Sequence, residues 1–386
     1  MQPRRLAILG ASGFVGSTLC ERLFRSKEFD FRPLVHSFAN TARLARFPLE
    51  LVPVDVMSYT QLKAGLEGCD VVVNLARGNP MQMSAAMKNI LKAAQQAGVK
   101  KIVHLSSISI YGDNPRPESR EETAPPIPDE VYGQSKLAQD ELVLRMHRRG
   151  LPGILLCPAN IFGPYSAFIL GAVHNLRGGQ VALVDGGQTP TNHVHVENVV
   201  EAILAAVRSD RGSGERYFVN EAETVSWKQF YKDMLEILGL DGSLPEVSGS
   251  EVLAVLNRPK PRHRFRDNFG ILLSGEFRKA LCMFPLVNRV NGLIYRKFSR
   301  SSLEFQRKVR SRLERPTVIK QDGTGPRLDG KYIKEQLKSV YHSPRKIMDN
   351  LGFRHVYNYR TGMETVRKWL EFANLGKADS GTLVMQ

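Results

Sequence analysis

The segment EVYGQSKLAQDEL, residues 130–142, places Tyr132 and Lys136 four positions apart. On a helix, side chains at that spacing share a face. A phenol ionises near ~10 and is a poor proton acceptor at neutral pH. An ammonium ~4–5 Å away, at an effective dielectric near ~20, favours the phenolate by about 3–4 kcal/mol. Such a pair is able to move a proton on or off a hydroxyl or carbonyl oxygen. An isolated Tyr/Lys spacing is nonetheless mostly an ordinary helix start. The pair needs support from the rest of the chain.

A second group of residues supplies it. LAILGASGFVGSTL puts Gly10, Gly13 and Gly16 where an apolar strand turns into a helix. At that place one glycine permits a tight turn, one lets backbone approach a pyrophosphate, and one lets helix and strand pack closely. The phosphates then meet the positive end of a helix. Further along, Asp55 ends an apolar run, where it reads as an acceptor for an adenine amino group or as the cap of the helix that follows. Asn74 and Ala76 end the next run. The loop after the second strand, HSFANTARLAR, offers His36, Ser37, Arg43 and Arg46 but no acid. A ribose 2′-hydroxyl calls for Asp or Glu there. This loop suits a 2′-phosphate better, so the expectation leans to NADP over NAD.

These residues need a scaffold. Apolar runs at 6–10, 32–36, 49–55, 70–76, 101–107 and 153–159 alternate with helical patterns. Runs without period-two alternation mark strands buried on both faces. Strand–helix alternation predicts a parallel sheet covered by helices on both sides. The 386-residue length predicts more than one domain. A dinucleotide-binding domain is expected over 1–165, a smaller mixed α/β substrate domain over 166–254 and 321–376, an insert over 255–320 and a tail over 377–386.

In order, GASGFVG, VDVMSYTQLKAGLEGCDVVVNLA, KKIVHLSSISIYGDNP, EVYGQSK, CPANIFGP and NHVHVENVVEAI resemble the extended short-chain dehydrogenase/reductases of the NAD-dependent epimerase/dehydratase family. The resemblance runs through residues 5–240, with a further likeness in the closing helices. It implies a Rossmann-type doubly wound sheet. It implies a catalytic set of Ser107, Tyr132 and Lys136. It implies a cofactor site at Gly10, Ser12, Gly13, Phe14, Val15, Gly16, His36, Arg43, Asp55, Val56, Leu75, Ala76, Pro158 and Ala159, together with Tyr132 and Lys136. Ser107 and Asn160 would touch substrate. The departures also count. The 4,6-dehydratases of the family carry an acid beside the catalytic hydroxyl, and this chain has Ile108 and Ser109. Sugar-nucleotide epimerases often carry an Arg before the HV strand to hold the diphosphate, and this chain has Thr191 and Asn192.

The formal charge of +16 is concentrated: residues 255–320 hold 17 Lys/Arg against 4 Asp/Glu. Within 269–300, Phe277, Leu281, Phe284, Val287 and Ile294 fall near helical spacing among the basic residues. A basic amphipathic segment with aromatics suits an anionic membrane surface. Packing on the substrate domain, a homodimer interface and nucleic acid compete with that reading. No nucleic-acid module is recognisable, and no nucleic acid is expected. Four scattered cysteines form no metal or disulfide pattern. No apolar run is long enough for a signal sequence or a membrane span. A cytoplasmic protein, peripheral on the inner face of a membrane, is the expectation.

Three functions fit. The first is an NAD(P)-dependent epimerase or reductase of a nucleotide- or lipid-linked sugar. The second is a dehydrogenase or ketone reductase of a lipophilic substrate, similar to the 3β-hydroxysteroid branch. The third is a non-catalytic cofactor-binding scaffold.

Overall fold

The computed structural model describes residues 5–112, 124–256, 318–319 and 328–376. The segment 269–300, with its expected amphipathic face, lies outside the described residues, as does the tail from 377.

Strands β1 (Leu6–Leu9), β2 (Phe31–Val35), β3 (Val52–Pro53), β4 (Val71–Asn74), β5 (Lys101–Leu105) and β6 (Gly153–Pro158) form a parallel sheet. Three short strands follow it: β7 (Asn160–Phe162), β8 (Leu183–Val184) and β9 (His193–His195). The four-residue β10 (Arg216–Val219) then rejoins the large sheet. The order is β10-β6-β5-β4-β1-β2-β3, so the strand order reverses between β1 and β4. Ligands of open α/β sheets bind outside the strand C-termini at such a reversal. The apolar runs have the composition the sheet requires: every residue of β1 and of β4 is buried.

Helices α1 (Phe14–Ser26), α2 (Tyr59–Leu66), α3 (Pro80–Gln96) and α4 (Val131–His147) cross over between strands. Two of these starts have a readable cause. Ser58 caps α2 by accepting from the Gln61 N–H, and Asn79 caps α3 with Pro80 in its first turn. Asp55 is therefore not the cap of α2; its carboxylate accepts from the Met57 N–H at 2.9 Å.

Beyond the sheet come α5 (Ala167–Arg177), α6 (Val196–Arg208), α7 (Trp227–Leu238), α8 (Gly249–Leu256), α9 (Gly330–Gln336), α10 (Arg345–Leu351) and α11 (Tyr359–Phe372). A second core gathers Phe162, Trp227, Phe230, Tyr231, Tyr332 and Tyr359 from these elements. The first core takes in residues on both sides of position 165. It includes most of α6 as well as α1, and Arg22 of α1 donates to Glu197 of α6 at 2.9 Å. The six strands expected from the sequence are all present. The seventh, RYFV, was too short and too closely bracketed by polar residues to stand out.

Candidate active site

Four strand ends meet at the C-terminal edge of the sheet. At β1, Gly10 takes a left-handed φ of +80°, and a Cβ there would lie 2.9 Å from the Ala76 nitrogen. A Cβ on Gly16 would lie 2.2 Å from the Gly10 carbonyl oxygen. Only glycine fits either place. Gly13 is the N-cap of α1 and has no side chain to cap the helix, and the first turn holds no acid. The helix end is thus left to an external anion. Leu75 and Ala76 lie alongside, with the Leu75 N–H donating to the Leu9 carbonyl at 2.9 Å. Ser12, Phe14 and Val15 complete the turn, and Asp55 and Val56 follow β3. This cradle fits a dinucleotide pyrophosphate.

After β2, His36 is exposed and Arg43 is half-buried. The Arg43 guanidinium donates to the Phe14 carbonyl and the Thr18 hydroxyl, each at 3.2 Å. It also lies 4.4 Å from the centre of the Tyr165 ring. It thereby ties the loop after β2 to the start of α1.

Ser106 and Ser107 follow β5. Ser107 accepts from the Ser109 N–H at 3.1 Å and donates to the Ser109 hydroxyl at 3.0 Å. This holds Ile108–Tyr111 in one tight turn against α4. Tyr132 and Lys136 sit one turn apart on α4, and Ser107 hydrogen-bonds the Tyr132 phenol. Lys136 is buried and donates to the Leu105 carbonyl at 2.8 Å. Pro158 ends β6 beside buried Ala159, and the Asn160 amide donates to the Thr191 carbonyl at 3.3 Å. The structure thus gathers the candidate catalytic and cofactor residues along one edge.

The electrostatics differ from the sequence expectation in one respect. Burial pushes the Tyr132 phenol above its ordinary value, and the groups that oppose this are Arg77 and Ser107. Lys136 is not among them. Arg77 was not singled out in the sequence. It follows Ala76, is exposed, and its guanidinium lies 5.0 Å from the centre of the Tyr132 ring. A cation there favours the phenolate. Arg77→Leu is therefore expected to raise the pH at which Tyr132 ionises. The shift should be under about one pH unit, since the group is solvent-screened. Tyrosinate absorbance titration checks it, with Tyr132→Phe identifying the band. An unmoved band would remove Arg77 from the site's electrostatics.

A family model described as NAD dependent epimerase/dehydratase family matches residues 6–219. The chain belongs to the NAD-dependent epimerase/dehydratase family. One relative is the 4-hydroxy-2-methyl-3-oxo-4-farnesyl-3,4-dihydroquinoline-1-oxide ketoreductase of Stigmatella aurantiaca. It is 26% identical over 256 residues, which are 63% of this chain and 76% of the relative. Another is the N-acetyl-alpha-D-glucosaminyl-diphospho-ditrans,octacis-undecaprenol 4-epimerase of Escherichia coli O157:H7. It is 28% identical over 228 residues, 54% of this chain and 65% of the relative. Among solved structures, the UDP-glucose 4-epimerase of Thermotoga maritima superposes with a TM-score of 0.63 at 17% identity, covering 96% of this chain and 99% of that one. This structural likeness shows a shared fold. Members of the family are NAD-dependent enzymes, and the chain's seven-stranded sheet is of their Rossmann type.

The position where sugar-nucleotide epimerases carry an anion-gripping Arg is occupied differently here. Asn192 is buried, and its amide donates to the Val340 carbonyl at 2.7 Å. Its oxygen accepts from Asn220 at 3.0 Å and from the His342 N–H at 3.1 Å. Thr191 donates to the Val225 carbonyl at 3.2 Å. Asn192 holds the C-terminal segment to the fold, Thr191 is tied to Val225 and His193, and both have little capacity left for a diphosphate.

Proposed function

We propose that the protein is an NAD(P)-dependent oxidoreductase that moves hydride at a carbinol carried on a lipophilic or lipid-linked substrate. Tyr132 exchanges the proton of that oxygen, Ser107 orients it, and Lys136 supports the phenol and holds the cofactor ribose. The nicotinamide supplies or takes the hydride. The observation that carries the substrate class is the commitment of Thr191 and Asn192 to internal hydrogen bonds. It counts against a nucleotide diphosphate as the handle. The relatives named for a farnesylated quinoline oxide and for an undecaprenol-linked sugar point the same way. A protonated phenol suits donation to a ketone oxygen, and the relative named as a ketoreductase favours net reduction. NADP is the preferred cofactor in this reading, since the loop after β2 brings His36 and Arg43 and no carboxylate. The basic segment 255–320 would bring the enzyme to an anionic membrane from the cytoplasmic side.

One experiment covers these points. The purified protein is assayed against a panel of sterol alcohols, prenylated ketones and polyprenyl-linked sugars, with the nicotinamide released, identified and its redox state measured. Net consumption of NADPH on a lipophilic ketone is expected, with flotation on anionic liposomes at low salt. A tightly held oxidised cofactor with no net turnover would replace this reading by an epimerase of a lipid-linked sugar. Turnover of free nucleotide sugars would overturn the substrate class.

A further inference from the structure

Asp140 lies one turn beyond Lys136 on α4 and is fully buried. Its Oδ2 accepts from Ser106 Oγ at 2.9 Å and from Arg216 Nε at 3.0 Å. Ser106 sits between Leu105, whose carbonyl anchors the Lys136 ammonium, and Ser107. Arg216 opens β10 and is steadied by a second bond to Glu141 at 2.8 Å. From β5, His104 Nε2 lies 3.8 Å from Asp140 Oδ1.

The tautomer of that histidine follows from Asn74. The Asn74 Oδ1 accepts from the Ala76 N–H at 3.2 Å, so its amide nitrogen is the group that meets His104 Nδ1 at 3.2 Å. Nδ1 is then the acceptor, and the ring proton sits on Nε2, toward Asp140. Burial, and next the charge of Lys136, keep the ring neutral. Asn74 and His104 thus lie between the cofactor cradle at Ala76 and the Asp140 carboxylate.

We propose that Asp140, clamped by Arg216 and Ser106, is a positioning residue for Lys136, its buried carboxylate holding the ammonium charged and seated on the Leu105 carbonyl beneath Tyr132. The role given to Lys136 rests on the hydride-transfer reading above; its protonation does not. Burial pushes Lys136 down to about 8, and Arg77 adds to this, while Asp140 opposes it from its own helix and the Cys157 thiol from β6. Burial pushes Asp140 up to about 6 against Arg216, Ser106 and Lys136. His104 faces both groups from β5 as a neutral ring. The two groups lie one turn apart on α4, and each favours the charged form of the other. Without the carboxylate, Lys136 would keep its burial and Arg77, both of which favour the neutral amine, with the Cys157 thiol alone opposing them.

The alternative is that Asp140 only neutralises Arg216. Carbon-13 NMR of ε-labelled lysine separates the two, with the Lys136 signal assigned by Lys136→Arg and followed against pH. Neither cofactor nor substrate is needed, so a failure here leaves the hydride-transfer reading to its own test. An opposite charge within ~4–6 Å moves a pKa by about 1–3. Asp140→Asn is expected to lower the Lys136 midpoint by about one pH unit or more, and Asp140→Glu to keep it near the native value. The double variant Asp140→Asn/Arg216→Gln leaves no guanidinium without its carboxylate, and it carries the measurement where the single variant fails to fold. Its Lys136 midpoint is expected to stay below the native one. A native midpoint in Asp140→Asn or in the double variant would overturn the proposal.

Discussion

Replacing Tyr132 with Phe is expected to slow hydride transfer by about 10²–10⁴-fold, the usual contribution of a positioned acid or base. The phenol is the group on α4 that lies within reach of both the Ser107 hydroxyl and the open edge of the sheet. Phe keeps the ring and its contact with Arg77, so packing changes little. Cofactor affinity should stay within a few-fold, because the glycine cradle is untouched. The check is a pair of measurements on the same preparation: cofactor binding by nicotinamide fluorescence, and turnover of whichever panel substrate the native enzyme accepts. A variant that turns over at the native rate would remove Tyr132 from the chemistry. One that fails to bind cofactor would show that the phenol builds the site rather than working in it.

The second large effect is expected at Gly16. A methyl group there would lie 2.2 Å from the Gly10 carbonyl oxygen and 2.8 Å from the Ala11 Cα. Both neighbours are backbone, so no side-chain rotation relieves the overlap. Overpacking of this kind costs about 1–3 kcal/mol. The turn has to open to accommodate Gly16→Ala, and the helix start moves off the β1 edge. If the turn bears the strain, cofactor affinity falls roughly 5- to 150-fold. Thermal unfolding separates that outcome from a general loss of fold. Equal affinity for NADPH and NADH in variant and native protein would falsify the assignment of this turn as the pyrophosphate cradle.

The legible parts of the sequence were those whose chemistry forces an unusual local pattern. Three glycines at a strand–helix turn are such a pattern, because any Cβ at Gly10 or Gly16 meets backbone. Tyr132 and Lys136 were readable through their spacing, and the strands of the main sheet through unbroken apolar runs. Asp140 was not readable. A carboxylate four residues after a lysine on a polar helix has the pattern of a solvated i,i+4 pair. What makes it different is complete burial under Arg216, and Arg216 comes from a strand of four residues far along the chain. Arg77 was passed over for a similar reason. A lone basic residue in a loop carries no period, and only the fold lays it over the Tyr132 ring. Asn192 read as a missing anion clamp; the structure adds that two of its hydrogen bonds hold Val340 and His342 in place.

The late return of β10 has a consequence for how the molecule comes together. Strands β1 to β6 all come from the first 158 residues of the chain. β10 pairs with β6 only after the chain has left the sheet at Pro158, passed through elements that supply the second core, and come back at Arg216. In chain order β10 is the last strand of the large sheet. Arg216 arrives with that strand. Until it docks, Asp140 is a carboxylate in an apolar interior without its strongest partner, and it is favoured as the neutral acid. The charge pattern beneath Tyr132 is thus complete only once β10 has docked. A refolding experiment that follows Lys136 ionisation should see it change as β10 docks, and not before.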